Sequence, residues 1–234
     1  MAVQLKDHFA SPSAEHMRKQ ILSILGKKWI SVFENEEAEL KEKHVVINLF
    51  ECFESVVSAF GLNIEPFAMT IFKQCCRIFT RFIALVKADE DYLESEGALF
   101  QRSIELISIL FNALGQRAQS LLANPPSAQI QQPAAANANE FISTVLELLD
   151  INDANVRQYV FGLLGDMQKH MLSEAFSLQL PQLILSAIDN LCSQSLPVCN
   201  NACWFLGEVA VVNSNREIIK PFLHQIAGKL CEIY

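Results

Sequence analysis

Apolar residues recur three and four positions apart through most of this chain and nowhere alternate in twos, so the pattern predicts helices and no strands. The pattern is sharpest in two blocks, DANVRQYVFGLLGDM (153–167) and SLPVCNNACWFLGEV (195–209). At an offset of 42 residues Val156 meets Val198, Val160 meets Ala202, Leu163 meets Phe205, and Leu164-Gly165-Asp166 meets Leu206-Gly207-Glu208. The two blocks are one helical unit written twice, with the same apolar stripe. Repeats of helix pairs near 40 residues long are the signature of HEAT and armadillo arrays, whose units bury their apolar faces only against neighbours.

The opposite side of these helices carries the functional expectation. Its ridge reads Gln158, Gly162, Asp166 in the first block and Asn200, Trp204, Glu208 in the second. A tryptophan stands where a polar residue belongs. Burying such a ring is worth about 2 to 3 kcal/mol, so leaving it on a wet face calls for a partner; otherwise it packs on the next repeat.

Taken in order, residues 1–12 carry no period, and a helix is expected over 13–33 with Trp29 on its apolar stripe beside Ile21, Ile24, Leu25 and Val32. An acidic turn at 34–39 precedes a long helix ending at Phe60 and closed by Gly61, the usual residue past a helix end. Another helix is expected to about Lys87, then an acidic connection over 88–96 and a helix over 97–114 closed by Gly115. These helices repeat at an offset of 54, with Phe50-Glu51 meeting Ile104-Glu105 and Gly61 meeting Gly115. The outer ridge of the later one includes Gln101 and Glu105. Residues 124–139 (NPPSAQIQQPAAANAN) have too little apolar surface to offset their ordering entropy and predict a flexible loop within one array spanning 1–234. Helices are then expected over 139–149, 152–172, 177–193, 195–213 and 215–232, about four and a half helix pairs in all, the last without a following partner, as in a segment of a longer array.

Composition narrows the function. No apolar run approaches the roughly 20 residues of a membrane span, and no charged-then-apolar leader opens the chain, so a soluble intracellular protein without membrane contact is expected. The seven cysteines show no C-x-x-C and no ligand spacing with the five histidines, which predicts free thiols, no metal and no cofactor. A net charge of −8 disfavours nucleic acid and suits basic partners. No phosphate loop or metalloprotease signature accompanies the cysteines, so no enzyme is expected.

At VCNNACWFLGEVA (198–210), VRQYVFGLLGDM (156–167) and LFECFESVVSAFG (49–61), the sequence resembles the transportin, or karyopherin-beta-2, family of nuclear import receptors. The resemblance implies an all-α HEAT-repeat superhelix, of which this chain matches a carboxy-terminal part. It implies cargo proteins bound through basic, proline-tyrosine nuclear localisation signals on an acidic concave face. Ran GTPase and nucleoporins would be met through the whole receptor, in cytoplasm and nucleus. Trp204 matches the family tryptophan that packs on the upstream part of the signal, Asn200 and Leu196 match positions of the same patch, and Asp166 and Glu105 match acidic cargo contacts. Glu208 joins them from the ridge. Gln101 departs from the family's aliphatic residue. The competing reading is a HEAT scaffold subunit with Trp204 packed between repeats.

Overall fold

The computed structural model describes residues 8, 9, 11–33, 43–123, 134–170 and 174–232. Among them there is helix and turn and no strand. The helices are α1 (Glu15–Phe33), α2 (Lys43–Phe60), α3 (Glu65–Ala88), α4 (Tyr92–Leu114), α5 (Gln119–Ala123), α6 (Ala134–Leu149), α7 (Ala154–His170), α8 (Glu174–Asp189), α9 (Leu196–Val211), α10 (Arg216–Ile219) and α11 (Leu223–Glu232). They divide into two compact units, one ending at Leu114 and one beginning at Gly115.

In the first unit α2 packs on α1 and along α4, and α3 packs on α4. The core is aromatic. Trp29 is 2% exposed, with its ring centroid 4.8, 5.3 and 4.6 Å from those of Phe33, Phe50 and Phe53. Phe82 stacks on Phe100. Both glycines expected to end helices do so in the left-handed region, Gly61 at φ 54° after α2 and Gly115 at φ 55° after α4. A side chain at either position would strain the turn. The stretch Lys43–Ala88, which holds a window apolar enough for a membrane span, is broken by a 3₁₀ turn at Gly61–Ile64, and its Phe50, Phe53, Ile71 and Phe79 lie in the core.

Helix α4 begins at Tyr92, inside the stretch expected as an acidic connection. Those acids favour the start of a helix rather than preventing it. Asp89 Oδ1 accepts the Asp91 N–H at 3.0 Å, and Glu94 lies in the first turn, where the backbone dipole favours negative charge. Glu96 is buried and takes Lys43 Nζ at 2.5 Å and Arg81 at 2.8 Å. It thereby ties α4 to α2 and α3.

Farther along α4, Arg102 is shared by three carboxylates, Glu51 at 2.8 Å, Glu105 at 3.1 Å and Glu54 at 3.6 Å. Glu54 Oε1 is buried without a hydrogen bond. Its burial raises the carboxyl pKa, opposed by Arg102 and reinforced by Glu105 and Glu51. A carboxyl whose folded pKa is raised binds its proton more readily in the folded state. It costs stability at pH 7, and the cost is removed as pH falls through the folded and then the unfolded value. Glu54→Gln is therefore expected to raise the thermal midpoint at pH 7 and to lose that advantage below about pH 4; equal midpoints at both pH values would show that the carboxyl is adequately solvated.

The second unit pairs α6 with α8 and α7 with α9, and α6 also meets α7. Asp153 caps α7, its Oδ1 accepting the Val156 N–H at 2.9 Å. Both predicted stripes are buried in full, Val156, Val160, Leu163, Leu164 and Met167 on α7 and Val198, Ala202, Phe205, Leu206 and Val209 on α9. The expected loop over 124–139 lies outside the described residues up to 133. From Ala134 the chain is already helical, in keeping with the high helix propensity of its alanines. The expected turn at 34–39 also falls outside. The helix expected over 215–232 is broken into α10 and α11 by a 3₁₀ turn at Lys220–Phe222. Pro221 has no N–H to continue the ladder, and its ring crowds the preceding turn.

Candidate functional site

The second unit gathers five of the six expected ridge residues on two adjacent helices. Along α7 and α9 the contacts advance together. The Asn201 side chain donates to the Gln158 carbonyl at 2.8 Å, the Phe161 ring faces that of Phe205 at 6.5 Å, and Gly165 meets Trp204. The two helices therefore run parallel, as the second helices of consecutive repeats do. This arrangement follows from the 42-residue sequence repeat.

On α9, Leu196 and Asn200 are exposed, Trp204 is 38% exposed and Glu208 is partly covered. They fall four residues apart and so share one face. Trp204 Nε1 donates to Glu208 Oε1 at 3.1 Å, fixing the ring against its own helix. The remaining side of the indole meets α7. A Cβ at Gly165 would stand 2.7 Å from both Cε3 and Cζ3 and 3.0 Å from Cδ2 of Trp204. Such near-equal distances place Gly165 over the face of the benzo ring, because a point off its edge would be much farther from Cδ2. Trp204 thus both packs on the neighbouring repeat and meets solvent.

Asp166 follows Gly165 on α7 and is partly exposed. His170 follows one turn later. Its pKa is lowered by burial and by Lys169, against the charges of Asp166 and Glu208, which act in the other direction. Glu208 meets the indole directly through Nε1, and Asp166 adjoins Gly165, on which the indole lies.

Glu105 lies on α4 in the first unit, held by Gln101 Nε2 at 3.0 Å and by Arg102 at 3.1 Å. With Glu51 and Glu54 it makes an acidic cluster in which one guanidinium serves three carboxylates.

Sequence reasoning missed two residues of the site. Asn201 lies beside the ridge and ties α9 to the α7 backbone, and Gly165 looks in the sequence like no more than part of a repeated Leu-Gly-acid motif. The signal was present in the asymmetry of the repeat. Gly207, the equivalent of Gly165, has open space where a Cβ would be, so glycine at 165 answers a neighbour that glycine at 207 lacks. Two of the cysteines are enclosed in the fold. Cys75 is buried, which holds its thiol pKa well above the ordinary value, and the Cys199 thiol donates to the Leu191 carbonyl at 2.8 Å. Among the described residues no group of three or more His, Cys, Asp and Glu side chains is arranged to hold a metal ion.

Comparison with known proteins places these helices in context. No family model matches the chain. It is 27% identical to Transportin-1 of Oryza sativa subsp. japonica over 70% of its own length and 17% of that protein. It is 22% identical to Transportin-1 of Homo sapiens over 92% of its length and 22% of that protein. With Importin subunit beta-2 of Schizosaccharomyces pombe it shares 27% identity over 76% of its length and 19% of that protein. The chain thus spans about a fifth of the length of the curated relatives it matches. With its packed helix pairs and parallel second helices the chain is an all-α array of the HEAT-repeat type, similar over 70–92% of its length to transportin and importin beta-2 proteins.

Proposed function

We propose that this chain is the cargo-binding part of a nuclear import receptor, and that the patch of Leu196, Asn200, Trp204, Glu208 and Asp166 takes a basic segment of a proline-tyrosine nuclear localisation signal. The observation that carries the reading is Trp204, an indole held in place yet partly open to solvent, with the Glu208 carboxylate at its Nε1 and Asp166 next to Gly165 beneath it. Such a ring offers apolar area at little entropic cost, and the acids suit a cationic ligand. Glu105 and its neighbours Glu51 and Glu54 form a second acidic patch, on the other unit, of the same chemical character. Names given to the relatives, transportin and importin subunit beta-2, support the transport role. On this reading the whole receptor meets cargo, Ran GTPase and nucleoporins and moves between cytoplasm and nucleus, and the chain itself is no enzyme.

The test is a titration of a fluorescent basic proline-tyrosine signal peptide into the protein, beside a charge-reversed peptide. The piece alone is expected to bind on the order of micromolar or weaker. Affinity should fall as salt is raised from low to physiological levels and beyond, since the screening length for exposed charges shrinks from about 30 Å at about 0.01 M to about 8 Å at about 0.15 M. Equal binding of both peptides, or affinity indifferent to salt, would count against the acidic patch. The face contact of Trp204 on Gly165 favours a second reading, a HEAT scaffold in which the indole serves only to join repeats. In that case neither peptide binds.

A further inference from the structure

Glycine is a poor choice for a helix interior, costing about 1 kcal/mol against alanine, yet Gly165 lies well inside α7 and is buried. Its neighbour explains it. Any side chain there would overlap the benzo ring of Trp204, with 2.7 Å to two carbons. The obstruction is a rigid ring, not the end of a flexible chain, and it is also held through Nε1 by Glu208. The ring cannot yield by a small rotation and keep that hydrogen bond. No comparable demand exists at Gly207, where a Cβ meets nothing within 4 Å, and at Gly162 the nearest atom is Asn201 Nδ2 at 3.4 Å, an ordinary contact.

We propose that Gly165 is a positioning residue for ligand binding: by leaving bare backbone beneath the indole, it lets Trp204 lie flat on α7 with Nε1 on Glu208, so that its opposite side is presented in one fixed orientation. The inference rests on the proposed peptide-binding role for its functional half and on geometry alone for its structural half. A flat seat held from two directions is preorganised and loses little rotamer freedom when a ligand arrives.

The experiment combines Gly165→Ala, Trp204→Ala and the double variant, with Gly207→Ala as the control for helix propensity. Trp29 is buried, so acrylamide quenching of fluorescence reports on Trp204. Gly165→Ala is expected to increase that quenching by displacing the ring and to weaken signal-peptide binding about tenfold, the scale of a disturbed interface anchor. Gly207→Ala should leave both unchanged. In the Trp204→Ala background the same alanine has room, so it should raise the melting temperature and leave residual binding unaltered, a non-additivity that isolates the pair. Unchanged quenching and affinity with Gly165→Ala alone would overturn the proposal, as would equal effects of that substitution in both backgrounds. Should the unaltered protein bind no peptide, the cargo-binding reading falls, and with it the functional half of the proposal. Quenching and the melting-temperature cycle still decide whether Gly165 places the ring.

Discussion

Replacing Trp29 with alanine is expected to cost the first unit about 3 to 5 kcal/mol of stability, the range for removing a large aromatic ring from a closed core. The ring is 2% exposed and touches Phe33, Phe50 and Phe53, each itself held by other aromatic neighbours. A cavity there has little means of collapsing, because the surrounding rings are rigid and already interlocked. Edge-to-face geometry with Phe33 and Phe53 adds an attraction beyond burial, of about 0.5 to 1.5 kcal/mol per pair. Denaturant unfolding followed by circular dichroism gives the loss directly. A loss below about 1 kcal/mol, ordinary for a surface substitution, would mean that α1 does not close the core of this unit.

Trp204→Ala should behave differently on both counts. Its ring is 38% exposed and lies with one face over Gly165, so the expected stability loss is about 1 to 2 kcal/mol, less than for a fully enclosed ring. Binding of a basic signal peptide should fall by about 2 kcal/mol, roughly thirtyfold, as when an interface anchor is removed. Measuring both quantities on one preparation separates the two readings of the indole. A large stability loss with unaltered peptide affinity would assign the ring to repeat packing. Loss of binding in a protein that still unfolds cooperatively near its original midpoint would assign it to the ligand.

Much of this architecture was legible because its units are periodic. The stripe from Val156 to Met167 and its copy from Val198 to Val209 predict both the helices and their adjacency, since identical stripes at a constant offset imply identical burial. Gly61 and Gly115 mark helix ends for a backbone reason that needs no tertiary information. What was not legible depends on partners distant in sequence. Glu96 reads as one acid in a polar run and becomes a buried residue only through Lys43 and Arg81. Pro221 divides what the apolar spacing presents as one helix, because a hydrophobic stripe continues across a break that the backbone cannot.

The ridge was legible as a face and not as a set of contacts. Spacing puts Leu196, Asn200, Trp204 and Glu208 in one row, which the structure keeps. It says nothing of how a large ring on that row divides itself between water and the adjacent helix. That division depends on the absence of a side chain at Gly165, 39 positions earlier, and on a carboxylate one turn later. Glu105, grouped with them by its place in an equivalent helix, stands in the other unit among its own neighbours.

The locality of the packing bears on how the chain reaches this state. In both units the principal partners lie about one repeat apart along the chain, α2 with α4 and α7 with α9. Loop closure over such tethers grows slowly in cost, by about 0.6 kcal/mol per doubling of length. During synthesis each pair can therefore dock on its predecessor soon after it emerges, before distant segments exist to compete for the same apolar surface. Apolar stripes as extensive as those of α7 and α9 then find their cover in the next repeat to emerge.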